Sequence, residues 1–74
     1  MRVQFSEVTV DEYGVSGLYV YSREDDSYLG LIYKNPGDYW QITADLEKAT
    51  RKYDRFWLSL DDVKAVVERE LKEV

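Results

Sequence analysis

The feature of this sequence that most constrains its fold is a series of turn signals between short runs of β-forming residues. Segments rich in Asp, Asn, Gly or Pro recur about a dozen residues apart, at 11–14, 23–26 and 35–38. The runs between them contain many β-branched and aromatic residues, which favour strands. This pattern predicts successive β-hairpins and therefore an antiparallel sheet.

The first run of β-forming residues changes phase in its middle. Val3 and Phe5 occupy alternate positions, and so do Val8 and Val10, but in the opposite phase. Because side chains alternate across a strand, an unbroken strand would place the two pairs on different faces. A bulge or kink at Ser6–Glu7 would bring all four to one face.

The third turn is the strongest in the chain. Pro36 presets the φ of the first corner position, and Gly37 suits the positive φ of the second, so a type II turn is expected. The sequence after this turn has two interpretations. Apolar residues alternate with polar ones, which predicts a strand over 39–46, followed by a short strand over 53–58. The competing interpretation is a helix over 44–56 with Thr43 as its cap; we take the strand as the prediction.

The last predicted element is an amphipathic helix over 60–73. Ser59 suits its N-cap, and Asp61 and Asp62 place negative charge in its first turn, where they oppose the helix dipole. Its apolar stripe consists of Leu60, Val63, Val66, Val67, Leu71 and Val74. We therefore expect one α+β domain over 1–74, an antiparallel β-meander of four to five strands with this helix packed on one face. The predicted strands are 2–10, 15–22, 27–34, 39–46 and 53–58.

The helix stripe is expected to meet one face of the sheet, and the other face is expected to stay uncovered. The predicted core partners of the helix are Leu18, Val20, Leu29, Leu31, Trp40, Ile42 and Leu46. The predicted uncovered face carries Tyr19, Tyr21, Tyr28, Ile32 and Tyr39. Tyrosine combines a large rigid ring with a polar tip and is enriched at interfaces, so we expect these residues to bind a protein partner or an identical subunit. Strand propensity alone is the competing explanation for them.

Composition excludes several classes of function. The chain has no Cys and no His, so it lacks thiol nucleophiles and the commonest general base and metal ligand. We expect no enzyme, and no catalytic, cofactor-binding or metal-binding residues. Its longest apolar runs are far shorter than the ~20 residues of a membrane span, and residues 1–5 lack the apolar core of a signal peptide. We therefore expect a cytoplasmic protein without membrane contact.

Charge further limits the partners. The formal net charge is −5, which argues against nucleic acid as a partner. Locally, residues 48–55 carry four bases and one acid, and they could contact phosphate or an acidic partner through Lys48, Arg51, Lys52 and Arg55. A solvated loop is the simpler explanation for so short a run. A nucleic-acid-associated protein using this segment, or an acidic inhibitor that mimics nucleic acid, is the alternative function.

The order of the elements resembles that of many small open reading frames of phages and mobile elements. The resemblance lies in a short β-meander that ends in the sequence FWLSLDDV, at residues 56–63, followed by an amphipathic helix. It concerns architecture alone and implies an accessory or inhibitor protein. No functional residue is transferred from it.

Overall fold

The computed structural model describes residues 2–50 and 59–71 and confirms the α+β class. Five strands form one antiparallel sheet, and two helices follow the strands in sequence. The elements are β1 (Val3–Phe5), β2 (Thr9–Val10), β3 (Ser16–Ser22), β4 (Tyr28–Lys34), β5 (Trp40–Ile42), α1 (Ala44–Ala49) and α2 (Leu60–Glu70). The strand order is β1-β3-β4-β5, and β2 pairs with β3. The sheet is thus the predicted meander, with one helix more than expected.

The break between β1 and β2 is the predicted change of phase. Phe5 pairs with Val20 and Thr9 pairs with Gly17, so the segment from β1 to β2 advances four residues while β3 advances three. The extra residue forms a bulge. It returns Val10 to the side of the sheet that Phe5 occupies, as predicted, although the side chain of Val10 remains exposed.

A second bulge lies near the start of β4. Val20 pairs with Gly30 and Tyr21 pairs with Tyr28, which leaves Leu29 as the extra residue. Side chains on the two sides of a bulge are re-aimed relative to a regular strand. Tyr28 therefore lies on the opposite side of the sheet from Gly30, although a regular strand would put both on one side.

The three turns at 11–14, 23–26 and 35–38 share one backbone conformation. The last residue of each turn has positive φ, with values of 80° at Gly14, 60° at Asp26 and 65° at Asp38. The type II prediction for the third turn is wrong, because the positive φ falls on Asp38 instead of Gly37. The side chain of Asn35 explains the difference, since its Oδ1 accepts a hydrogen bond from the Gly37 N–H at 2.9 Å. This Asx-type contact fixes the first half of the turn and moves the left-handed residue one position on.

The hydrophobic core lies between one side of the sheet and both helices. The sheet contributes Val3, Leu18, Val20, Ile32, Trp40 and Ile42, and the helices and the end of α2 contribute Leu46, Val63, Val67 and Leu71. Five of the seven predicted partners of the helix are buried in this cluster. Leu29 packs against it from the bulge, whereas Leu31 lies on the other side of the sheet. The predicted C-terminal helix is confirmed over Leu60–Glu70. Its predicted end at residue 73 is wrong, because Leu71 has extended backbone and forms a β-bridge with Thr50.

The predicted strand over 39–46 is wrong beyond Ile42, because α1 begins at Ala44. Thr43 ends the sheet: its N–H donates to the Leu31 carbonyl oxygen at 3.0 Å, and its Oγ1 accepts from the Leu31 N–H at 3.2 Å. The competing helix interpretation is right for residues 44–49. Its remainder, like the predicted strand over 53–58, lies outside the described residues.

Gly30 explains why a helix can follow the sheet so directly. A Cβ atom at Gly30 would lie 2.5 Å from the Cβ of Leu46 and 2.9 Å from the Leu46 amide nitrogen. Both distances are below van der Waals contact, so only a residue without a side chain allows the backbone of α1 to rest on β4. Leu46 thereby reaches the core from a helix instead of from a strand.

Helix α2 also holds the edge of the sheet. The carboxylate of Glu68 accepts hydrogen bonds from the backbone N–H groups of Arg2 and, at 3.2 Å, of Val3. The Arg2 guanidinium donates to the Leu71 carbonyl oxygen at 2.8 Å. These contacts occupy amide groups that an edge strand would otherwise leave unpaired.

Candidate protein-interaction face

The outer face, defined here as the side of the sheet opposite α1 and α2, carries a cluster of three tyrosines. Tyr19 and Tyr21 alternate along β3, and Tyr28 faces Tyr21 from β4. The ring centroids are 6.4 Å apart for Tyr19 and Tyr21, 6.1 Å for Tyr19 and Tyr28, and 6.0 Å for Tyr21 and Tyr28. The two contacts made by Tyr28 are edge-to-face, the arrangement that aromatic quadrupoles prefer. We call these three residues the tyrosine cluster.

The tyrosine cluster is accessible from outside the molecule. Tyr19 is 46% exposed and Tyr28 is 51% exposed, whereas Tyr21 between them is half-buried. None of the three rings belongs to the core, which lies on the other side of the sheet. The cluster therefore presents a preformed aromatic surface to solvent.

Two further apolar residues extend this surface along β4. Leu31 pairs with Tyr19, and Tyr33 pairs with Gly17, so both lie on the outer face, where they are half-buried. A Cβ atom at Gly17 would lie 3.6 Å from Leu31 Cδ1 and 3.6 Å from Tyr33 Cβ, so the glycine leaves a shallow gap beside them. Sequence analysis missed Leu31 and Tyr33 on this face. The sequence signal for them was their alternation with Ile32. Without the bulge at Leu29, that alternation puts Ile32 on the same side as Tyr28, and Leu31 and Tyr33 on the other side.

Acidic side chains border the tyrosine cluster. Gln4 pairs with Tyr21 and therefore lies on the outer face, and its Nε2 donates to the carboxylate of Asp26. This contact places Asp26 beside the cluster. Partial burial raises the pKa of the Tyr28 hydroxyl, and the negative charge of Asp45 raises it further. Asp26 is thus the carboxylate that a direct contact places beside the cluster.

The turn that carries Asp26 is ordered by its own hydrogen bonds. The carboxylate of Asp25 accepts from the Ser27 N–H at 3.1 Å and from the Ser27 hydroxyl at 2.7 Å. These bonds favour the ionised form and lower the pKa of Asp25. The acidic turn therefore keeps both its charge and its shape beside the tyrosine cluster.

One of the residues predicted for this surface lies elsewhere. Ile32 is fully buried in the core, because it pairs with Leu18 and Ile42 on the helix side of the sheet. Its assignment to the uncovered face is wrong, since the bulge at Leu29 separates it from Tyr28. Tyr39 is 42% exposed and lies just before β5, at the opposite end of β4 from Tyr28. The structure thus brings together Tyr19, Tyr21 and Tyr28.

The second predicted contact region can be placed only in part. Lys48 is exposed on α1, near the C-terminal end of that helix. The other three basic residues, Arg51, Lys52 and Arg55, lie outside the described residues. The proposed phosphate contact through residues 48–55 therefore remains a prediction.

Residues 2–50 and 59–71 contain no group of three or more His, Cys, Asp or Glu side chains placed to hold a metal ion. Neither of the helices in this part of the chain is long and apolar enough to cross a membrane. The tyrosine cluster with its acidic border is the most distinctive surface feature among these residues.

Comparison with known proteins gives no match to a protein-family model, to a curated protein or to a solved structure. The outer face is distinguished by the contacts within the tyrosine cluster, by the exposure of Tyr19 and Tyr28 and by the position of Asp26 beside the cluster.

Proposed function

We propose that this chain is a non-catalytic protein-binding module of the cytoplasm and that it binds through the tyrosine cluster. The observation that carries the proposal is the mutual contact of three rings, two of them about half exposed, on the side of the sheet that the helices leave uncovered. Buried aromatic anchors supply much of the binding energy of protein interfaces. Tyrosine is well suited because its ring is apolar and its hydroxyl can still find a polar partner.

The arrangement of the rings also favours tight binding. Each tyrosine has few rotatable bonds, and each ring in the cluster is held by its two neighbours. Side chains that are already ordered lose less conformational entropy on association. A partner would therefore meet a surface whose shape is set before binding.

Strand propensity does not require this exposure. The core consists of residues on the opposite side of the sheet, and neither Tyr19 nor Tyr28 belongs to it. Replacing either ring should therefore reduce binding more than it reduces stability. This difference separates a binding role from a structural one.

The test is affinity capture from extracts of the source cells with tagged wild-type, Tyr19→Ser and Tyr28→Ser chains. Tyr13→Ser is the matched control, because Tyr13 is 83% exposed and lies in the β2–β3 turn outside the cluster. We expect a captured protein whose affinity for each cluster variant falls about thirtyfold, which corresponds to the ~2 kcal/mol of an interface hot spot. Equal capture by all four chains, with cooperative unfolding in each, would refute the proposal.

A further inference from the structure

A negatively charged turn lies beside the tyrosine cluster. The carboxylate of Asp26 in this turn accepts a hydrogen bond from Gln4, which lies on the outer face next to Tyr21. The basic side chains whose contacts are defined in the described residues are engaged on the helix side or within α2. They are Arg2 on the Leu71 carbonyl oxygen, Lys34 over the Trp40 ring, Lys64 over the Phe5 ring and Arg69 against Glu70. Arg23 lies in the same turn as Asp26, but Glu24 and Asp25 leave the turn with a net negative charge. The outer face therefore combines aromatic rings with a negatively charged turn.

We infer that the tyrosine cluster binds an arginine-bearing segment of a partner protein, with the guanidinium over the rings and the carboxylate of Asp26 beside it. This inference rests on the proposed function and specifies the chemistry of its partner. A cation is attracted to the face of an aromatic ring when it lies within about 6 Å of the ring centroid. Since the three centroids are 6.0 to 6.4 Å apart, one cation above the cluster can be near more than one ring.

Arginine fits this surface better than lysine does. Its planar guanidinium stacks on aromatic faces, is less strongly hydrated than an ammonium and can bind a carboxylate through two parallel hydrogen bonds. A surface with rings in its centre and a carboxylate at its border offers both kinds of contact. A lysine would use only the charge of the same surface.

The charge also argues against other occupants of this face. In a symmetric dimer formed through the cluster, the same patch faces itself, so the acidic turn around Asp26 would approach its own counterpart in a second chain of net charge −5. Like charges placed against each other suppress an association. Nucleic acids and anionic lipid surfaces are disfavoured for the same reason.

The experiment measures binding of a fluorescent nona-arginine peptide to the full chain by anisotropy at about 50 mM salt, where screening is moderate. Nona-lysine is the comparison peptide. The test variants are Asp26→Asn, and Tyr19→Ser with Tyr28→Ser. The matched control is Glu12→Gln, which changes the net charge by the same amount as Asp26→Asn at an exposed position in the β2–β3 turn.

We expect nona-arginine to bind the wild type more tightly than nona-lysine does. The Asp26→Asn variant should bind about threefold more weakly, since one exposed ion pair is lost. The tyrosine variant should lose at least as much, and the Glu12→Gln control should stay within about 1.5-fold of the wild type. Urea unfolding of each variant establishes that it is folded.

Two results would overturn the inference: no binding of nona-arginine, or an equal loss in the control variant, which would show attraction to net charge alone. A tyrosine-dependent dimer in sedimentation would also overturn it, by making a second copy the occupant. If the cell extract yields a tyrosine-dependent partner while nona-arginine fails to bind, the proposed function stands and only this inference falls. If Tyr19→Ser and Tyr28→Ser change neither assay, both fall.

Discussion

Replacing Gly30 by alanine tests how α1 is seated on the sheet. The added Cβ would lie 2.5 Å from Leu46 Cβ and 2.9 Å from Thr43 Oγ1. Carbon atoms in contact are about 3.5–4.0 Å apart, so α1 would have to move away by roughly 1 Å. Overpacking of this kind costs about 1–3 kcal/mol. The alanine recovers about 0.4–1 kcal/mol by restricting the unfolded chain, so the expected net loss of unfolding free energy is about 1–2 kcal/mol.

Urea unfolding followed by tryptophan fluorescence measures this loss. With a slope of about 1 kcal/mol per molar urea for a chain of this size, the midpoint should fall by about 1–2 M. Gly17→Ala is the matched control, because its Cβ would meet its nearest neighbour, the Ile32 carbonyl oxygen, at 3.1 Å. The control should stay within about 1 kcal/mol of the wild type. If both variants lose the same unfolding free energy, or if Gly30→Ala unfolds like the wild type, the close packing of α1 does not require glycine at position 30.

Three further predictions concern the turns, the sheet edge and the tyrosine cluster. Asp38→Gly should change the unfolding free energy by less than about 0.5 kcal/mol, because relief of the φ of 65° is offset by the added entropy of the unfolded chain and by the loss of the exposed ion pair with Lys34; a larger change would contradict this. Glu68→Gln should cost about 1 kcal/mol and speed hydrogen exchange at the Val3 amide, and unchanged exchange would show that the carboxylate is not needed there. The raised pKa of Tyr28 means that the unfolded chain loses this proton first, so the unfolding free energy should fall as pH rises above 10.0. Tyr28→Phe should reduce that fall, and Asp45→Asn should bring the pKa of Tyr28 closer to 10.0 in an absorbance titration. If the unfolding free energies of Tyr28→Phe and the wild type fell equally with pH, Tyr28 would not be the group responsible.

Hydrophobic and turn patterns predicted the sheet because they are local. Each turn between strands is encoded within a few residues, such as Asn35 bonding to the Gly37 amide, and the helical stripe around Val63 and Val67 is visible in sequence. The first bulge was also predictable, because Val3 and Val10 are both apolar but out of phase. Where a local signal exists, the structure follows it.

The second bulge and α1 were harder to predict because their causes are not local. Nothing near Leu29 changes the apolar alternation, so the reversal that buries Ile32 and exposes Tyr28 depends on pairing with β3. The alternation through Leu46 favours a strand, but Gly30, far away in sequence, allows a helix to pack there. Three of the five predicted surface residues, Tyr19, Tyr21 and Tyr28, form one cluster. The position of Asp26 beside it depends on the contact with Gln4, from another strand, and could not be placed from the pattern.

The bonds from Glu68 to the amides of Arg2 and Val3 join positions 66 and 65 residues apart in sequence. A ribosome makes the chain from its N-terminus, so β1 exists long before the carboxylate that will cover its outer amides. Until α2 has left the ribosome, that edge can pair with any passing strand, which is a recognised route to misassembly. We expect nascent chains halted before Glu68 to aggregate or recruit chaperones more than chains that extend beyond α2. Helix α2 therefore protects a strand that is made well before it.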